Sequence, residues 1–260
     1  MKTIPEHTNE IPDYITFARK FENYRWYKPI LTAAITGIFY LLFMLILIAG
    51  ITAIYGPGMV EAVTGSYESL DDSNAITLIS FLLIAILIPS LYIANRIVKD
   101  RPFSSYGSSL GGWRWKLYIK CLAIPLVVFI IAQILSYVTG SEDGSGISHL
   151  TPLAAILFLI IVPAQCIAEE YVYRGLLMQT LGSWIKVPII AIIIQAILFG
   201  ISHDYNSLGV FSIIVSGVVY GFVCWKTHGL EASSAIHTIN NLFVAYMSAV
   251  GVSSTSSVAT

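Results

Sequence analysis

Apolar runs long enough to cross a bilayer as helices recur along this chain, at about residues 29–55, 75–98, 117–138, 150–173, 187–203, 208–225 and 231–250. About 20 such residues cover the ~30 Å hydrocarbon layer, at a helical rise of about 1.5 Å each. The fifth run is the shortest. In lipid every backbone N–H and C=O needs a partner within the protein, and a run that is apolar throughout meets that need as a helix. The fold read from this pattern is an all-α polytopic membrane bundle of about seven transmembrane helices, with an intramembrane polar cavity. Composition agrees: 56% of the 260 residues are hydrophobic and 11% are charged, where soluble domains carry about 25% charged residues. The bilayer is therefore an expected partner. A net charge of −1 argues against nucleic acid. Cys121, Cys166 and Cys224 lie inside apolar runs and follow no disulfide or zinc spacing.

Charge orients the bundle. The 14 basic residues fall in the first 28 residues, in the second connection and its edges (Arg96 to Lys120), in the fourth (Arg174, Lys186) and in the sixth (Lys226). Seven crossings put all of them on one side, which the positive-inside rule makes the cytoplasm. Residues 1–28 then form a cytoplasmic tail, with no secretory signal read in them. Residues 29–114 supply the first spans and a cytoplasmic loop, 115–250 a helix bundle, and 251–260 a disordered tail outside the membrane. The other connections, YGPGMVEAVTGSYESLDDSN and TGSEDGSGISH, are acidic and read as flexible loops. Compact length and the lack of trafficking signals, taken with the family resemblance stated below, suggest a bacterial plasma membrane.

Ionisable groups within spans are costly and point to function. In IAEEYVYRGL, residues 167–176, Glu170 and Arg174 are four apart and share a helix face, so they can pair. Glu169 points about 100° away, without that partner. A carboxyl in low dielectric holds a proton more readily, which suits a general base. An interfacial span end facing water explains the same cluster equally well. In FGISH, Phe199 and His203 share a face, with Gln195 a turn earlier. In HTINN, His237 and Asn241 do so, with Ser233 beside them, and a neutral imidazole and an amide could both donate to a developing oxyanion. Each has a plain alternative: an interfacial histidine, or a hydrogen bond between helices. GSSLG around Ser109 matches a nucleophile elbow, but in a loop between membrane helices it reads as chance. Together, a carboxylate, two imidazoles and an amide on three of the last four spans are the parts that activate water against an acyl group.

EEYVYR at 169–174, FGISH at 199–203 and HTINN at 237–241 resemble, in this order, the EExxxR, FxxxH and HxxxN motifs of the CAAX prenyl endopeptidase and bacteriocin-processing (CPBP, abortive-infection) family. The resemblance covers roughly residues 115–250, and RPFSSYG at 101–107 is similar to a loop upstream of the motifs in bacterial members. It implies an intramembrane endopeptidase, open towards the cytoplasm, acting on a membrane-associated protein or peptide. By the same resemblance Glu169 activates water, assisted by His203, and His237 and Asn241 stabilise the oxyanion. Glu170 and Arg174 orient the helix and Phe199 packs beside the site. No cofactor is expected; if a metal is held, zinc on Glu169, His203 and His237 is the set, although the HExxH signature is absent. Two other functions remain open: a catalytically silent regulatory or binding protein of the same fold, and a proton-coupled transporter.

One difficulty is depth. Glu169 would end its span, while His203 lies 16 residues beyond the start of the next, at 187. Straight helices would hold the two roughly 24 Å apart in depth. Pro163 could kink the span, or GLLMQTLGSWI could continue the helix towards Trp184 and Lys186; the second is expected.

Overall fold

The computed structural model describes residues 12–63, 73–139 and 150–249. Among the described residues the regular structure is helical, with one isolated bridge between Ser108 and Gly229. Seven principal helices follow one another: α1 Lys28–Tyr55, α2 Asn74–Val98, α3 Trp115–Thr139, α4 Pro152–Ile185, α5 Pro188–Ile201, α6 Ser207–Thr227 and α7 Glu231–Ala249.

Five of them (α1, α2, α3, α4 and α6) are long and apolar enough to cross a membrane. α5, with 14 residues, is too short for a full crossing. α7 is shortened in apolar content by the polar run from Glu231 to Asn241. Large apolar side chains stay exposed along the outer helices, among them Ile38, Ile124, Ile193 and Phe211. A surface this apolar suits lipid and is unlike that of a soluble monomer.

The apolar run at 150–173 belongs to a longer helix, as its expected continuation requires: α4 runs 34 residues to Ile185. The apolar GLLMQTLGSWI continues it, through a π-helical stretch at Tyr171–Met178. Arg174, counted above with a basic connection, is therefore inside α4 and fully buried. The helix begins on Thr151, whose hydroxyl accepts from the Ala154 amide, with Pro152 in the first turn.

Of the tail expected at 1–28, residues 1–11 lie outside the described residues and the remainder is folded. Residues 12–27 form a strap folded against the bundle, because the apolar cluster Tyr14, Ile15, Phe17 and Ala18 is buried within an otherwise polar stretch. Asp13 accepts from the Ile15 and Thr16 amides and from the Trp225 indole. Ser109 donates to Pro12 O at 2.9 Å, and Trp184 donates to Trp26 O at 3.0 Å. A Cβ on Gly182 would overlap the Ile15 side chain and stand 2.6 Å from its carbonyl oxygen, so the strap's seat requires a glycine there.

At the strap end three helices stop on a left-handed residue that is not glycine: Lys99, Lys186 and His228, with φ of 53°, 63° and 59°. At Lys99 and Lys186 a cation beside the negative end of a helix offsets part of that conformational cost. Within the first acidic connection, Pro57–Val63 is a short helix. The rest of that connection, residues 140–149 and the tail 251–260 lie outside the described residues.

Candidate active site

The long α4 resolves the question of depth. Glu169 lies 16 residues before Ile185, and His203 lies 15 residues after Pro188, where the chain has turned back. Both are thus roughly 23 Å from the same end of the α4–α5 hairpin. They meet in one cavity of about 400 Å³, which Gln165, Glu169, Phe199, His203, Tyr205, Tyr220, His237, Asn240 and Asn241 all line. Phe81 and Ile84 of α2, with Ile213 of α6 and Val244 of α7, supply its apolar walls.

The two adjacent glutamates have separate environments. Glu170 is fully buried and Oε1 accepts from Arg174 at 3.0 Å, the expected pair. That oxygen also faces His237 Nδ1 at 3.1 Å, and Oε2 accepts from the Ser233 hydroxyl at 2.8 Å. Burial of a carboxylate is tolerable only with such partners. Arg174 is itself fully buried, and its guanidinium carbon stands 4.2 Å from the Phe199 ring centroid and 5.3 Å from that of Tyr220. Ring faces thus cover the part of the cation that the carboxylate leaves.

Glu169 looks into the cavity. Its Oε2 accepts no hydrogen bond among the described residues and lies 3.4 Å from His237 Nε2. His237 therefore stands between the two glutamates, with its ring stacked on Tyr220 at 5.2 Å. A carboxylate accepts only, so Glu170 fixes a proton on Nδ1, and Nε2 is the ring nitrogen that faces Glu169. His203 follows the same rule: its Nδ1 lies 2.7 Å from the Phe199 carbonyl, which leaves Nε2 as the basic nitrogen. Phe199 packs edge-on to His203 at 4.7 Å and to His237 at 6.0 Å.

Asn241 donates to Gln165 Oε1 at 3.0 Å and accepts from Asn240 at 3.1 Å. Gln165 was not singled out from the sequence, although it precedes Glu169 by four residues and is a polar residue in an apolar run. Tyr220 carried no such signal. Gln195 lies outside the cavity; it donates to Gly217 O at 2.9 Å and ties α5 to α6. Ser109 is buried against the strap and is no nucleophile. Among the described residues no three His, Cys, Asp or Glu side chains are grouped as a metal site. The zinc set named above, Glu169, His203 and His237, is accordingly not gathered as one such group among the described residues.

Residues 151–243 match the family model of the type II CAAX prenyl endopeptidases, Rce1-like. That segment contains all three motifs, and the resemblance read from them holds there. The chain is 29% identical over 182 residues to the uncharacterized protein YyaK of Bacillus subtilis (strain 168), across 64% of this chain and 59% of that protein. It thus spans about three fifths of the length of that relative. No solved structure matches.

Proposed function

We propose that this chain, Rce1-like over residues 151–243, is an intramembrane endopeptidase that hydrolyses a peptide bond of a membrane-associated protein or peptide. The observation that carries the reading is the shared cavity, where Glu169, His203 and His237 meet from three helices with one glutamate oxygen unbonded. Glu169 takes a proton from water as the water oxygen attacks the scissile carbonyl carbon. Its neighbour His237 Nε2, at 3.4 Å, shares that proton, and His203 offers a second basic nitrogen on the far side of Phe199. The tetrahedral intermediate collapses with cleavage of the C–N bond, and the proton passes to the leaving amine. A carboxylic acid and an amine result. His237 as an imidazolium and the Asn241 amide stabilise the oxyanion. Glu170 keeps His237 in its tautomer, and Arg174 keeps Glu170 ionised. Each of these steps uses this chain's own side chains.

In the same reading α5 and α7 complete seven membrane segments, the strap and the basic helix ends face the cytoplasm, and the C-terminus lies outside. The test compares peptides and membrane proteins in cells carrying the wild-type chain or Glu169→Gln. Intact precursors should accumulate with the variant. Identical peptide sets would remove the proposed base and favour the regulatory alternative.

A further inference from the structure

A second cavity, of about 410 Å³, lies where the strap meets the end of α2. Glu22 and Asn23 of the strap border it, as do Asn95, Arg96 and Lys99 at the end of α2. α2 is long and apolar enough to cross a bilayer, so this end of it stands at the level of the lipid headgroups. Tyr92 lines the cavity and is also exposed, at the depth where interfacial tyrosines are common. The floor is built from buried polar groups whose charges cancel within the protein. Asp100 and Arg101 face one another at 3.6 Å, and Asn95 donates to Asp100 Oδ1 and to the Arg101 carbonyl. Arg101 in turn donates to Gln179 and to the Gly175 carbonyl of α4. Even so, Asp100 Oδ2 and Arg101 Nε have no hydrogen bond among the described residues.

The rim carries charges that the protein leaves uncompensated. Arg96, Lys99 and Glu22 are exposed, and among the described residues none of the three makes an ion pair. The last carbonyls of α2 also make that helix end negative. A simple anion would be drawn to Arg96 and Lys99 and opposed by Glu22 and by the helix end. A group with both signs answers all of them, and the headgroup layer beside α2 offers one. We propose that this cavity binds the headgroup of a zwitterionic aminophospholipid, with its phosphate on Arg96 and Lys99 and its ammonium on Glu22. Basic pockets at the ends of membrane helices are a recurrent seat for lipid phosphates. Phe21 and Phe103 add aromatic walls against which the ammonium and its methylene link can pack. Because Glu22 belongs to the strap and the two cations to the end of α2, the bound lipid ties one to the other.

The probes are phosphatidylethanolamine, phosphatidylcholine and phosphatidylglycerol with the same acyl chains. Each is added to the full chain in detergent micelles, and bound lipid is counted by native mass spectrometry. One molecule of phosphatidylethanolamine should be held about tenfold more tightly than either of the others, since phosphatidylcholine has no N–H for Glu22 and phosphatidylglycerol no cation. Arg96→Gln together with Lys99→Gln should weaken that binding by about tenfold or more. The pair Lys116→Gln and Lys120→Gln, exposed cations outside the cavity, should leave it unchanged. Glu22→Gln should bring phosphatidylethanolamine down to the level of phosphatidylcholine. Thermal unfolding in the same micelles establishes that each variant is folded. Equal retention of the three lipids, or an equal loss in the control pair, would overturn the proposal. A preference for phosphatidylglycerol that Glu22→Gln strengthens would assign the cavity to an anion alone and overturn the zwitterionic assignment. Glycerophosphoethanolamine, the headgroup without its chains, should fail to compete at equal concentration; equal competition would make a soluble phosphate ester the ligand and overturn the lipid source.

Discussion

His237 Nδ1 stands 3.1 Å from Glu170 Oε1, and this contact gives the second glutamate of the pair a task distinct from the first. Glu170 is sealed beneath the cavity with a cation, a hydroxyl and an imidazole around it. Glu169, one residue earlier, borders the cavity. A rotation of about 100° along a helix separates a carboxylate sealed in the core from one that faces the cavity.

Glu170→Ala should destabilise the protein by about 3–5 kcal/mol, because it strands the buried Arg174 cation. Thermal unfolding in detergent micelles should show a large loss in Tm. Pairing the change with Arg174→Met should restore part of it, and a double-mutant cycle measures the coupling.

Glu169→Gln should behave oppositely. The cavity leaves Glu169 Oε2 without a hydrogen bond, so the amide strands no charge and stability should stay within about 1 kcal/mol of wild type, with Tm little changed. Turnover of the processed peptides should fall by about 100-fold or more. A similar Tm loss for both glutamate variants would contradict the division of roles.

Gly182→Ala should lift the strap from its seat, since the added Cβ meets both the side chain and the carbonyl of Ile15. Overpacking of this kind costs about 1–3 kcal/mol. Trypsin should then cut at Arg19 or Lys20 faster than in the wild type, with cleavage mapped by mass spectrometry.

The strap should also give the protein an alkaline limit. Burial raises the Tyr14 phenol well above its ordinary 10.0, and its hydroxyl donates to the Tyr106 carbonyl. The unfolded chain loses this proton at lower pH than the folded one, so the stabilisation is complete below pH 10 and declines as pH rises beyond it. Tm measured from pH 8 to 11 should fall at the upper end, and less steeply in Tyr14→Phe.

Much of the site was legible in sequence because helical spacing is rigid. Glu170 with Arg174, and Phe199 with His203, meet as their four-residue separations require. The span pattern also located the bundle, and an apolar continuation past Arg174 was the right sign of a long α4. Other features depend on partners distant in sequence. Gln165 becomes part of the site only through Asn241, 76 residues later. Tyr14, Ile15, Phe17 and Ala18 hide among charged neighbours, so average polarity reads as a tail although the apolar side chains face inward together. Arg174 was assigned to a connection because a lone cation ends an apolar window; the pair with Glu170 and the ring faces of Phe199 and Tyr220 are what permit its burial.

The attachment of Asp13 to Trp225 joins residues 212 positions apart. At about 5–20 residues per second, a ribosome needs roughly 10–40 s to make the second after the first. The earliest described part of the polypeptide is thus among the last to find its place, after α6 has been synthesised. Assembly in the bilayer has a built-in final step, and a protein truncated before Trp225 would leave that aromatic-rich leading segment without its indole anchor, open to chaperones and proteases.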